Sequence, residues 1–94
     1  MIIIWSELAS RDLNSIWEYI SGDSQYYAKN YLVGIVNSVD ILIDFPVSGR
    51  IVPEFRIKNL REIIFENYRI IYKIEKNKIY IVTVTPNCPS TELI

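Results

Sequence analysis

Arg56, Lys58, Arg61 and Arg69 fall within fourteen positions of this 94-residue sequence and are the side chains best suited to chemistry. Guanidinium groups bind phosphate through paired hydrogen bonds, and a cluster of them stabilises charge developing at a phosphorane. Glu54 and Glu62 are the carboxylates near enough to act as acid or base, although no spacing marks them as a catalytic pair. The alternative account is a solvated strand face on which these cations pair with Glu54, Glu62 and Glu66, each exposed pair contributing little. Lys73, Lys76 and Lys78 surround a turn, where lysine solubilises and protects an edge. Other chemistries are closed. The sequence has no histidine and one cysteine, which excludes the usual zinc constellations and any Ser-His or Cys-His nucleophile pair. Cys88 has no histidine to activate it, no glycine-rich phosphate loop is present, and no metal or cofactor is expected.

The tyrosines divide by position. Tyr19, Tyr26, Tyr27 and Tyr31 surround a helical segment, where amphipathic rings suit half-buried sites or a partner-binding groove. Tyr68, Tyr72 and Tyr80 fall on strands. Tyr72 shares the alternation of Ile70 and Ile74 and reads as core, while Tyr68, beside Arg69, either packs or stacks a base.

The elements that must hold these residues follow from periodicity. Ile2-Ile3-Ile4-Trp5 has the β-branched and aromatic composition of a strand buried on both faces. Ser6 is a helix N-cap, after which Ala9, Leu13, Ile16, Trp17 and Ile20 form one apolar stripe. Gly22 is expected to end that helix in a left-handed conformation, and Asp23 or Ser24 to cap the next. Ala28, Leu32, Ile35, Val39 and Leu42 recur by four and three, the seam of a second helix packed on a neighbour. Pro46 stops it at about Phe45. Residues 46–56, with two prolines and a glycine, form an ordered loop at most. Ile57–Glu66, Tyr68–Ile74 and Ile79–Thr85 then read as three antiparallel strands joined by tight turns. The order β-α-α-β-β-β predicts an α+β fold, a helical hairpin on one face of a mostly antiparallel four-stranded sheet. Residues 1–94 make a single domain, with 86–94 as an irregular tail.

Half the residues are apolar, 22% are charged and 13% aromatic, too hydrophobic for disorder. No apolar stretch approaches a membrane span, and the N-terminus lacks the features of a signal peptide. A single cysteine is compatible with a reducing cytoplasm. The net charge of −1 hides an asymmetry: residues 1–45 carry two basic and six acidic side chains, residues 46–85 eight basic and four acidic. Such a chain can present a polyanion-facing surface, or pair the charges of its two halves internally.

Three stretches together carry a resemblance. They are Leu8-Ala9-x-x-Asp12-Leu13-x-x-Ile16-x-x-Tyr19-Ile20, Phe45-Pro46-x-x-Gly49-Arg50-x-Val52-Pro53-Glu54, and Leu60-Arg61-Glu62 leading into Asn67-Tyr68-Arg69-Ile70-Ile71-Tyr72. In this order they resemble the RelE/ParE superfamily of type II toxin–antitoxin toxins, over about residues 1–85. The resemblance implies a cytoplasmic bacterial or archaeal toxin of the kind associated with plasmid stabilisation. A separately encoded antitoxin would neutralise it, and DNA contact would come only through that partner. A homodimer or a heterotetramer with the antitoxin is compatible with so apolar a chain.

RelE-like members of the superfamily are ribosome-dependent mRNA endonucleases, whereas ParE-like members poison DNA gyrase without nuclease chemistry. By position, Arg69 matches the strand arginine of RelE-like sites, with Lys58 and Arg61 near the other basic residues. The departure is at the end, where Thr85-Pro86-Asn87-Cys88-Pro89-Ser90 replaces the usual basic stretch and no Arg, His or Tyr follows Tyr80. Cleavage needs activation of a 2′-hydroxyl and protonation of a leaving oxygen, so this loss favours the ParE-like reading. A RelE-like ribonuclease using Lys58, Arg61 and Arg69 on mRNA at the ribosome is the alternative, and a degenerate antitoxin-binding copy is the third. Arg50, Arg56, Lys58, Arg61, Tyr68 and Arg69 are the expected target-binding residues, and Tyr27, Tyr31 and Tyr80 the expected antitoxin-binding ones. Arg69→Ala is expected to leave folding intact.

Overall fold

The computed structural model describes residues 1–87; the expectations for Cys88 and the rest of the tail lie outside the described residues. Strand β1 (Ile2–Trp5) leads into helix α1 (Glu7–Ser21), then helix α2 (Gln25–Asp40), which continues as a 3-10 turn over Ile41–Ile43. Strands β2 (Arg50–Ile51), β3 (Leu60–Phe65), β4 (Tyr68–Glu75) and β5 (Lys78–Pro86) follow. The five strands form one sheet in the order β1-β5-β4-β3-β2. β1 runs parallel to β5 and every other pairing is antiparallel.

The α+β class and the helical hairpin on one sheet face agree with the expectation, and four differences have local causes. The sheet has five strands because Arg50 and Ile51, inside the Pro/Gly-rich stretch, pair with Glu62 and Arg61. The run from Ile57 becomes a strand only at Leu60. Gly22 is right-handed (φ −56°, ψ −32°), because the chain passes directly from α1 to the Ser24 cap of α2. β1 is not buried on both faces. It is a sheet edge, with Ile3 and Trp5 packed on the core and Ile2 exposed.

Capping and packing explain the helices. Ser6 Oγ accepts from the Ala9 amide at 2.9 Å and donates to the Val82 carbonyl at 2.8 Å, so the α1 cap is also a tie to β5. Ser24 Oγ accepts from the Tyr27 amide at 3.1 Å. Ala9 and Ile16 of α1 and Ala28, Tyr31, Ile35 and Val39 of α2 face the sheet, where Ile70, Tyr72, Ile79, Ile81 and Val84 complete a buried core. Each such aliphatic side chain contributes about 1.5–3 kcal/mol of transfer free energy. Gly34 lets α2 approach the sheet, since a Cβ there would lie 2.5 Å from the Phe65 ring.

The loop between α2 and β3 is pinned from the core outward. The Tyr72 hydroxyl, at the centre of β4, donates to the Pro46 carbonyl at 2.7 Å and accepts from the Gly49 amide at 3.0 Å. Gly49 is required by this approach, because a Cβ would sit 2.6 Å from both the Glu62 carbonyl oxygen and the Tyr72 hydroxyl. Burial raises the Tyr72 phenol above its ordinary value of 10.0, so it remains a neutral donor.

Candidate functional site

Strand alternation and register decide which of the singled-out residues meet. Glu62 opposes Arg50 on one side and Ile71 on the other, and Arg69, two residues from Ile71, shares that face. Arg61 opposes Tyr72, a core residue, and therefore belongs to the opposite face. The four cations Arg56, Lys58, Arg61 and Arg69 accordingly do not assemble into one cluster.

Arg69 and Arg50 are instead organised by Glu62, which is 1% exposed. Glu62 Oε2 accepts from Arg50 Nε, and Arg69 Nη2 lies 2.7 Å from Glu62 Oε1. Arg69 also forks onto Glu54, its two terminal nitrogens 3.0 and 3.2 Å from the carboxylate oxygens. Its hydrogen bond to Glu54, reinforced by Glu62, raises the Arg69 guanidinium above its ordinary value. The same bond holds Glu54 below the ordinary carboxylate value of 4.5. Arg69 keeps 20% of its side chain exposed, and its Nε has no hydrogen-bond acceptor.

The sequence offers Glu62 as an acid–base carboxylate or a salt-bridge partner; its burial makes it the centre of the arrangement. A fully buried carboxylate that loses a partner becomes strongly destabilising. That replaces the expectation of an unaffected fold for Arg69→Ala with one of measurable destabilisation.

Arg61 is held by backbone. Nε donates to the Lys58 carbonyl at 3.1 Å, and Nη1 to those of Val47 at 3.3 Å and Gly49 at 2.9 Å. It shapes the loop. Arg56 and Lys58 are exposed on that loop, and Arg56 has a left-handed backbone at φ 53°. Arg50 pairs with Glu62 through a side chain that remains largely exposed.

A second region gathers the tyrosines. Tyr19, Ile20, Tyr27, Tyr31, Tyr68 and Pro86 line a groove of about 520 Å³ together with Glu66 and Asn67. Tyr31 is its floor, edge-on to Phe65 at 5.3 Å and to Tyr68 at 6.0 Å, with Tyr27 at 6.1 Å. Burial raises the Tyr31 phenol above 10.0. Tyr27 is 56% exposed. Tyr68 therefore groups with Tyr27 and Tyr31 and not with its sequence neighbour Arg69. Tyr80 lies elsewhere, opposite Ile4 and Lys73, beside a smaller cavity lined with Glu75, Lys76 and Lys78.

Asp12 is a residue the sequence reading placed only within a motif. Its carboxylate accepts from Thr83 Oγ1 and, at 2.9 Å, from the Val84 amide, on the edge of β5 beyond Ile81, where the pairing with β1 ends. That partner depends on where β1 stops along β5, which the residue types around Asp12 do not encode. Among the described residues, no group of three or more His, Cys, Asp or Glu side chains is placed to hold a metal, and no helix is long and apolar enough to cross a membrane.

The chain, a capped helical hairpin on a mixed sheet with one parallel edge, is a toxin domain of the RelE/ParE superfamily. The family model described as ParE toxin of type II toxin-antitoxin system, parDE, matches residues 3–86, and the chain belongs to that family. At the level of fold, it is similar to a solved chain described as the chromosomal ParDE TA system from P. aeruginosa. That likeness has a TM-score of 0.76 at 20% identity and covers 92% of this chain and 95% of that one. No curated protein is similar enough in sequence to match.

Proposed function

We propose that this ParE-type toxin inhibits growth by binding a macromolecular target, DNA gyrase first among candidates, and not by cutting RNA. The observation that carries the reading is the engagement of its arginines. Arg69 is occupied by Glu54 and Glu62, and Arg61 by three carbonyls, so neither is free to follow charge developing on a phosphate. The sequence supplies no histidine to move the protons of a cleavage reaction. Arg50, Arg56 and Lys58, exposed on or beside the loop, are the residues that reach the target, while Arg61, Arg69 and their carboxylate partners hold that loop in shape.

A cognate antitoxin neutralises the chain by seating an apolar segment in the groove of Tyr27, Tyr31 and Tyr68, with Tyr80 as a separate contact, and it supplies any contact with DNA. The complex acts in the cytoplasm. The test is expression with and without the neighbouring open reading frame, together with a gyrase supercoiling assay on purified chain. An SOS response with intact mRNA, relieved by the neighbour and weakened by Arg56→Glu/Lys58→Glu, is the expected result. Cleavage of mRNA at ribosomes would establish the RelE-like reading instead, and unimpaired growth an inert copy.

A further inference from the structure

The outward side of α2 carries a stripe that neither the core nor the tyrosine groove uses. Tyr26, Lys29, Val33, Val36 and Asp40, followed by Ile43 in the 3-10 turn, recur at intervals of three and four, and all are exposed. The intervals place them on one side of the helix. Val33 and Val36, at the centre, are 47% and 38% exposed. They border a shallow depression of about 300 Å³ shared with Leu32 and with Trp17 of α1. Lys29 and Asp40 make no ion pair among the described residues.

The arrangement has a symmetry of its own. Val33 and Val36, Lys29 and Asp40, and Tyr26 and Ile43 are each equidistant in sequence from one point between Gly34 and Ile35. When a second copy is laid antiparallel across that point, each valine meets the other valine, and each Lys29 meets the partner's Asp40. The Lys29–Asp40 ion pair therefore forms twice, as a two-fold interface requires. A parallel arrangement would set Lys29 against the partner's Lys29. Antiparallel helix dipoles favour the same choice.

We propose that the outer face of α2 is a self-complementary interface through which two copies of this chain pair about a two-fold axis facing residues 34 and 35. The occupant is a second copy because the stripe's charges complement themselves only in reverse order. The tyrosine groove stays open in such a dimer, so the inference is independent of the target and of the antitoxin.

Sedimentation equilibrium on the purified chain and its charge-reversed variants tests it. The wild type is expected to dimerise. Lys29→Glu and Asp40→Lys should each weaken self-association about tenfold, because each turns two attractive contacts into two repulsive ones. Mixing the two variants should restore wild-type affinity, since each reversed side chain then meets its opposite. Val33→Asp should give a monomer. All three positions of the test are exposed, so thermal melts of the variants should match the wild type, and a monomeric variant with an unchanged melt separates interface loss from misfolding. A wild type that is monomeric at every concentration would overturn the proposal. So would single reversals without effect, or a mixture no tighter than its components.

Discussion

The charge cluster around Glu62 and the tyrosine groove lie on opposite faces of one sheet and present opposite kinds of surface. In the cluster, a buried carboxylate holds Arg50 and Arg69, and Glu54 closes over Arg69 from outside. The groove is lined by rings, of which Tyr31 is buried and Tyr19 and Tyr27 are exposed. Residues whose types promise reactivity are spent on holding a loop, whereas residues that look like ordinary packing are left facing outward. Charge counts in a sequence do not distinguish a free cation from a neutralised one; burial of the counter-charge does.

That contrast can be broken most forcefully at Glu62. Glu62→Ala leaves two guanidinium groups without their shared anion and should cost about 3–5 kcal/mol in urea denaturation, with the groove's affinity for antitoxin unchanged in molecules that remain folded. A stability loss of a few tenths would mean that the cluster is not structural.

Tyr72→Phe comes next. It removes the acceptor for the Gly49 amide and the donor to the Pro46 carbonyl, and should destabilise by about 2–3 kcal/mol, again by urea titration. The groove responds oppositely. Tyr27→Ala should leave the unfolding midpoint in place and weaken antitoxin binding about tenfold in calorimetry, as truncating an exposed aromatic anchor does.

The smallest effect is at Glu54. Arg69 depresses this carboxylate below 4.5, so its contribution is complete above that pH and is lost as pH falls through the lowered value. Glu54→Gln should therefore be slightly less stable than wild type near neutrality, and the difference should vanish in strong acid. A difference that persists there would assign the bridge to packing instead of charge.

Much of the fold is readable before any coordinates. The stripes Ala9–Ile20 and Ala28–Leu42 give both helices, because a two-helix face on a sheet needs that spacing. The pairs flanking Glu66-Asn67 and Lys76-Asn77 give the meander. Neither turn contains glycine, yet Glu66 (φ 51°) and Lys76 (φ 53°) both take left-handed backbone, so the register is imposed by the strands and not by turn chemistry. β2 is only two residues long and is formed by its partner β3, which local propensity does not encode.

The site was less legible for a related reason. Arg61 and Arg69 look equivalent as letters, but the tight hairpin between them sends one toward the helices and the other away. The burial of Glu62 depends on a loop folded back by Tyr72, twenty-six residues from Pro46. The aromatic candidates fared differently, since Tyr27, Tyr31 and Tyr68 converge through helix and strand periodicity while Tyr80 falls on another part of the sheet.

The parallel seating of β1 beside β5 ties synthesis to assembly. Ile2 aligns with Lys78, Ser6 bonds to Val82 and Asp12 to Val84, so the earliest segment made by a ribosome finds its place only once the latest strand has emerged. Until then the nascent chain has an unfinished sheet and no native groove. The long loop closure this demands slows the final step. A chain wired in this way completes its sheet only at the end of its own translation.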